Sequence, residues 1–372
     1  MHKKNKDSIV LTDGSCLIIE ALARAGADAF IGYPITPANL LYQYGSQRME
    51  LMLSAPDEIT TLQWMSGLSM TGKLPVTATS FPGFALMTES VNMAYMMELP
   101  MVIILVQRLG PATGTATCGA QGDLLLLNGI ISGGHPIPVL ATSDFEDCWV
   151  LAAKSAEIAI TLRTPVILLT SKEEVMTHRS FNMKNLSDIS PVVRKEYQSA
   201  QKYKPYAATN LVPDFIPVGQ NKHQVRFNAS THDQAGILQH STKEAIDNTI
   251  RLEEKITKRM QEFQYYILDE QEDANTLLVA YGISASAARS ATSQLREKKK
   301  KVSLLIPQTM LPVQDIYLTK CLEYQKVIIA EESINNQFGR ILFGQSIPDH
   351  VTCIGSIAKM ITPEQIVEEV YL

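Results

Sequence analysis

Short apolar runs alternate with longer amphipathic stretches through most of this chain of 372 residues. The runs at 27–31, 75–80, 101–106, 137–141 and 165–170 have strand length and are rich in Val, Ile and Leu. Between them the spacing predicts helices at 14–26, 38–53, 56–72, 84–99 and 144–162. Strands and helices alternating at these lengths specify a doubly wound parallel sheet. The run 101–106 contains no polar residue and reads as a central strand covered on both faces. Segment 84–99 is apolar nearly all round and carries Met87, Met93, Met96 and Met97. It predicts a helix buried on every side, either within the core or against another subunit. The stretch Phe81-Pro82-Gly83 reads as a break between strand and helix.

The alternation stops at about residue 171. Residues 172–274 are polar and rich in Pro, Asn and Gln, with one amphipathic helix predicted over 249–266. A stretch this long is a functional loop or a linker, and we read it as a connector that packs on neighbouring chains. From 276 the pattern resumes, with strands at 277–281, 302–306, 327–330 and 351–354. Helices are predicted at 284–299, 313–324, 337–345 and 363–370. The class is therefore α/β, with two doubly wound domains, 1–171 and 275–372, joined by the connector 172–274.

Charge and composition narrow the function classes. The formal net charge is −5, which argues against a nucleic-acid partner. The basic run 298–301 ends a predicted helix, where cations suit the negative end of the dipole. None of the five cysteines has metal-ligand spacing, so this chain is not expected to build a zinc or iron–sulfur site alone. Unpaired thiols suit a reducing cytoplasm. The first residues, MHKKNKD, lead into no signal-type apolar core. No apolar run reaches membrane-spanning length. The expectation is a cytoplasmic protein without membrane contact.

Candidate chemistry concentrates where predicted strands end. Gly32-Tyr33-Pro34-Ile35-Thr36-Pro37 follows a buried strand and precedes a helix, and its two prolines make a rigid corner that presents Thr36. In open α/β sheets ligands sit at the carboxyl ends of strands. Thr36 either caps the following helix or offers its hydroxyl to a ligand. Arg108 ends the most apolar strand, where a charge needs a partner. It either pairs with an acid such as Asp123 or Glu98, or holds a substrate carboxylate through its fork of N–H groups. Glu58 heads a mostly apolar helix, as a simple helix-start carboxylate or as a buried functional acid, with Asp57 beside it as a cap. The chain lacks G-x-G-x-x-G and the P-loop pattern, which argues against a dinucleotide or nucleotide site.

Taken together these residues resemble the α subunit of 2-oxoacid:ferredoxin oxidoreductases. The resemblance rests on Gly-Tyr-Pro-Ile-Thr-Pro at 32–37, Asp57-Glu58-Ile59, Thr77-Ala78-Thr79-Ser80 and Gln107-Arg108-x-Gly110-Pro111-x-Thr113-Gly114. It continues through Gln121-Gly122-Asp123, 213–219, Ser230-Thr231-His232-Asp233 and Ala280-Tyr281-Gly282, and so covers nearly the whole chain.

The resemblance implies a thiamine diphosphate pyrimidine-binding domain at 1–171 and a transketolase C-terminal-like domain at 275–372. It implies oxidative decarboxylation of a 2-oxoacid with coenzyme A, 2-oxoglutarate being favoured over pyruvate and branched-chain 2-oxoacids. The alternative is an assembly subunit that keeps the fold without catalysis. The coenzyme's diphosphate and its Mg²⁺ are expected on a separate β subunit, because this chain has no Gly-Asp-Gly motif with a downstream Asn. A γ-type subunit, an iron–sulfur cluster on partner subunits, and ferredoxin or another iron–sulfur acceptor complete the implied system. Glu58 aligns with the glutamate that hydrogen-bonds the aminopyrimidine and promotes its imino tautomer. Tyr33, Pro34, Ser80, Pro82 and Gly83 fall on the coenzyme-binding loops. Thr36 and Arg108 align with the residues that hold the substrate carboxylate and carbonyl. Three positions depart from the family pattern: Phe81 and Leu109 stand where glycine is common and add bulk beside the expected site. Asn336 stands where a glycine usually precedes the glutamine.

Overall fold

The computed structural model describes residues 9–372, so the N-terminal stretch read above lies outside the described residues. In chain order the strands are β1 (Ile9–Thr12), β2 (Ala29–Gly32), β3 (Leu51–Ser54), β4 (Pro75–Thr79), β5 (Met101–Gln107), β6 (Val139–Ala141) and β7 (Pro165–Ser171). They continue with β8 (Arg179–Asn182), β9 (Tyr266–Asp269), β10 (Thr276–Ala280), β11 (Val302–Pro307), β12 (Thr309–Leu311), β13 (Lys326–Glu331) and β14 (Val351–Gly355). One sheet has the order β12-β6-β7-β5-β4-β2-β3 and the other β14-β13-β10-β11-β9. In the first, every neighbouring pair is parallel except β12 with β6.

β5 and β7 are buried at every position and pair in register from Met101↔Pro165 to Gln107↔Ser171. Helices cover both faces, as a parallel sheet requires. On one face Gly14–Ala25 packs against Phe145–Leu162. Asp13 and Asp144 cap these helices, accepting from Cys16 N and Asp147 N, and Gly26 (φ +109°) terminates the first. On the other face lie Glu58–Met70 and Phe81–Met96, and the apolar core there continues into Leu277, Val279 and Leu305 of the second sheet.

Several expectations are corrected. The helix predicted over 38–53 stops at Arg48, and Leu51–Ser54 is an edge strand instead. Phe81-Pro82-Gly83 is no break but the first turn of the next helix, where proline is tolerated because its missing N–H has no helical partner. That helix is not buried all round in this chain: Leu86 is 54% exposed, and Met93 and Met96 are half-buried. The connector helix begins earlier, at Lys243–Thr257, and residues 266–269 form β9 on the edge of the second sheet.

The connector helix is fastened through charge. Glu98, fully buried after the helix Phe81–Met96, accepts from Lys255 Nζ at 2.8 Å and is paired with both guanidinium nitrogens of Arg251. Lys255 Nζ also donates to the Arg163 carbonyl. Despite desolvation, the charges of Arg251 and Lys255 hold the Glu98 carboxyl well below its ordinary range.

Candidate active site

Because β3, β2, β4 and β5 are parallel neighbours, the loops after them leave from one edge of the sheet. That edge carries Tyr33, Pro34 and Thr36 after β2, Glu58 after β3, Ser80, Pro82 and Gly83 after β4, and Arg108 after β5. Tyr33 and Pro34 are exposed, Thr36 and Pro82 are half-buried, and Ser80 and Gly83 are buried.

Glu58 is the first residue of its helix and only 7% exposed. Asp57 does the capping, accepting from Thr60 N at 2.7 Å. Among the described residues no hydrogen bond or ion pair reaches the Glu58 carboxylate. Its side chain lies against Gly83, where an added Cβ would stand 2.6 Å from Glu58 Oε1 and 2.3 Å from Thr79 Oγ1. Ser80 Oγ is also buried without a partner, and Ser80 makes no side-chain cap to the helix it precedes. A buried acid and a buried hydroxyl without protein partners are groups that a ligand satisfies.

Arg108 is 5% exposed. It pairs with neither acid weighed above: Glu98 is occupied by Arg251 and Lys255, and no ion pair joins Arg108 to Asp123 among the described residues. Instead its Nη1 donates to the Thr36 carbonyl, which ties the loop after β5 to the loop after β2. Its Nε is buried with no partner among the described residues. Thr36 does not cap the following helix; its hydroxyl accepts from Asn39 Nδ2 at 3.3 Å.

A cavity of about 360 Å³ opens where this edge meets the second sheet. Phe81, Arg108, Leu109 and Asp123 line one side, with Glu332 and Gln337 from the stretch after β13 on the other. Glu58 and Thr36 do not line it. The structure thus brings the expected residues together as two contacts, Glu58 with Gly83 and Arg108 with Thr36, with Phe81 and Arg108 facing one cavity.

Sequence reasoning weighed Asp123 only as an ion partner of Arg108 and gave no role to Gln121 or to the stretch at 331–337. Gln121 binds three groups of the second unit: its Nε2 donates to the Tyr281 carbonyl, and its Oε1 accepts from Ser284 Oγ and Glu332 N. Gln337 answers with its Nε2 on the Gly122 carbonyl and its Oε1 on Leu125 N. The available signals were the resemblance through Gln121-Gly122-Asp123 and the departure at Asn336. Asn336 has φ +49°, a left-handed position that accounts for glycine being usual there and asparagine tolerated.

The sequence family described as pyruvate flavodoxin/ferredoxin oxidoreductase, thiamine diphosphate-binding, matches residues 20–252. A 2-oxoglutarate synthase subunit KorA from Methanocaldococcus jannaschii is 30% identical over 315 residues, covering 84% of this chain and 85% of the relative. A ketoisovalerate oxidoreductase subunit VorB from Methanothermobacter thermautotrophicus is 29% identical, covering 81% and 80%. The fold matches a solved 2-oxoglutarate:ferredoxin oxidoreductase from Magnetococcus marinus with a TM-score of 0.91 at 23% identity. The match covers all of this chain and 66% of that one. The chain belongs to the thiamine diphosphate-binding family of pyruvate flavodoxin/ferredoxin oxidoreductases.

Proposed function

We propose that this chain is the α subunit of a 2-oxoacid:ferredoxin oxidoreductase that decarboxylates a 2-oxoacid oxidatively with coenzyme A, 2-oxoglutarate being the leading substrate. The observation that carries the reading is Glu58, buried and without a partner beside Gly83 at the carboxyl edge of the sheet. The residues present fit a polar heteroaromatic ring: Glu58 supplies a carboxyl group, Ser80 an unpaired hydroxyl, and Gly83 the room in which the Glu58 side chain lies. Thiamine diphosphate, when bound, supplies the nucleophilic carbon and electron sink that this decarboxylation needs.

In this reading Glu58 would hydrogen-bond the pyrimidine, and Tyr33, Pro34, Ser80, Pro82 and Gly83 shape the surface around it. Arg108 holds the substrate carboxylate with the N–H groups that Thr36 leaves free, and Thr36 borders the carbonyl. Exposed apolar side chains stand on the loop and helices that follow this edge, namely Tyr33, Ile59, Trp64 and Leu86. They support a covering β subunit that carries the diphosphate and Mg²⁺. A γ-type subunit, the iron–sulfur cluster and a ferredoxin-type acceptor belong to the same proposed assembly. The protein works in the cytoplasm in this reading; among the described residues no helix is long and apolar enough to cross a membrane.

The test is turnover of the complex purified with its native partners against a panel of 2-oxoacids, with coenzyme A and a reducible iron–sulfur protein. Acyl-coenzyme A formation, fastest with 2-oxoglutarate, supports the reading. Preference for a branched-chain acid would move the substrate toward that of the ketoisovalerate relative, and no turnover with any 2-oxoacid would overturn the proposal.

A further inference from the structure

Asp123 stands in a position whose usual work another residue does. It immediately precedes the helix Leu124–Asn128, where an aspartate side chain ordinarily accepts from the first turn. No such bond forms. Gln337, far along the chain, takes that place by accepting from Leu125 N at 2.9 Å. The Asp123 carboxyl is thereby left free of capping in the lining of the cavity, 4% exposed, with Oδ2 buried and unpartnered among the described residues beside the equally unpartnered Gln107 Nε2. Arg108 lines the same cavity with its own unpartnered Nε, and no ion pair joins the two among the described residues.

Two groups in the lining of one cavity, a carboxyl and a guanidinium, each with an unmatched atom, are satisfied together by an oxyanion if the carboxyl carries its proton. We propose that Asp123 is a substrate-binding residue: un-ionised, it donates a hydrogen bond to the 2-oxoacid carboxylate that Arg108 engages. The inference rests on the function proposed above. Burial pushes Asp123 up to about 7, against the opposing pull of the Gln107 amide and the Arg108 charge. Both forms are therefore populated near neutrality. The ionised form repels the substrate carboxylate and screens Arg108.

The remaining ionisable groups around it are accounted for. Tyr281, from the end of β10, keeps a buried hydroxyl without a partner, and burial raises it well above its ordinary value, with Glu331 and Asp123 adding to the shift. Glu332 faces the cavity, but its carboxyl accepts from Ile361 N, and burial places it at about 7. It is the one other acid of the cavity lining that titrates in the same range.

The experiment measures KM for the 2-oxoacid in the purified complex between about pH 6 and about pH 8.5, bracketing the Asp123 transition. Wild-type KM should rise about tenfold across that interval, the weight of one charge-assisted hydrogen bond. Asp123→Asn keeps a donor at every pH and should hold KM low throughout. Asp123→Ala should show the raised KM at both ends, and Glu332→Gln should keep the wild-type rise. If Asp123→Asn tracks the wild type, or Asp123→Ala binds as tightly as the wild type at the acid end, the inference is wrong while the proposed activity stands. Absence of 2-oxoacid turnover in the wild-type complex overturns both.

Discussion

Glu58 and Gly83 occupy one space: a Cβ on residue 83 would stand 2.6 Å from Glu58 Oε1 and 2.3 Å from Thr79 Oγ1. The acid has room there because the third residue of the helix that starts at Phe81 has no side chain. Thr79 is short and fixed in β4, so Gly83→Ala must displace Glu58. We expect this substitution to remove most turnover of the assembled enzyme while shifting the unfolding midpoint by only a few degrees, about 1 kcal/mol. Assays of turnover and thermal unfolding on the same preparation check it, and wild-type turnover would detach Gly83 from the site.

Arg108 gives one N–H to the Thr36 carbonyl and keeps another unpaired. Arg108→Ala should raise KM for the 2-oxoacid by about tenfold to a hundredfold, the loss of a charge-assisted hydrogen bond. Arg108→Lys should restore little, because a single ammonium cannot serve Thr36 and substrate together. Steady-state kinetics of both variants decide the matter; unchanged KM and kcat would take Arg108 out of the site.

Glu98 joins the helix Phe81–Met96 to the connector helix through Arg251 and Lys255. Glu98→Ala leaves the buried Lys255 and the half-buried Arg251 without their acid and should cost about 3–5 kcal/mol in denaturant unfolding. The pH dependence follows from the lowered carboxyl. A depressed acid stabilises above its unfolded value, here 4.5, and loses that contribution as pH falls through its folded value. The difference between wild type and Glu98→Ala should therefore shrink as pH falls below 4.5.

The acids between the two sheets have the opposite sign. Burial raises Glu331 and Glu332 from 4.5 to about 7. A raised acid stabilises fully below 4.5, and the contribution is lost as pH rises through about 7. Asp123 shifts the same way, whereas His232, lowered by burial, acts in the opposite sense. Glu332→Gln isolates one group: the wild-type midpoint should fall relative to the variant between about pH 5 and about pH 8. Parallel midpoints across that range would show that Glu332 stays un-ionised or finds a cation.

Features encoded by neighbouring residues were legible in the sequence. The buried runs of β5 and β7, the helix starts at Asp57 and Asp144, and the stop at Gly26 each depend on a few consecutive side chains. Features set by distant partners were not. Leu51–Ser54 continues the apolar spacing of the helix before it, and only pairing with β2 makes it a strand. Thr309–Leu311 is three residues long and joins the first sheet through β6. At the site, Thr36 and Arg108 were singled out at strand ends and Glu58 at the start of a helix. The release of Asp123 did not, because an aspartate before a helix reads as its cap and the displacing glutamine is Gln337.

The central claim is that Glu58 serves a coenzyme ring from within this chain. Glu58→Gln keeps the size of the side chain and removes its charge. Turnover of the purified complex should fall by at least about a hundredfold, the range of a lost proton-transfer group, with subunit composition unchanged on gel filtration. Near-normal turnover by the intact Glu58→Gln complex would contradict the account.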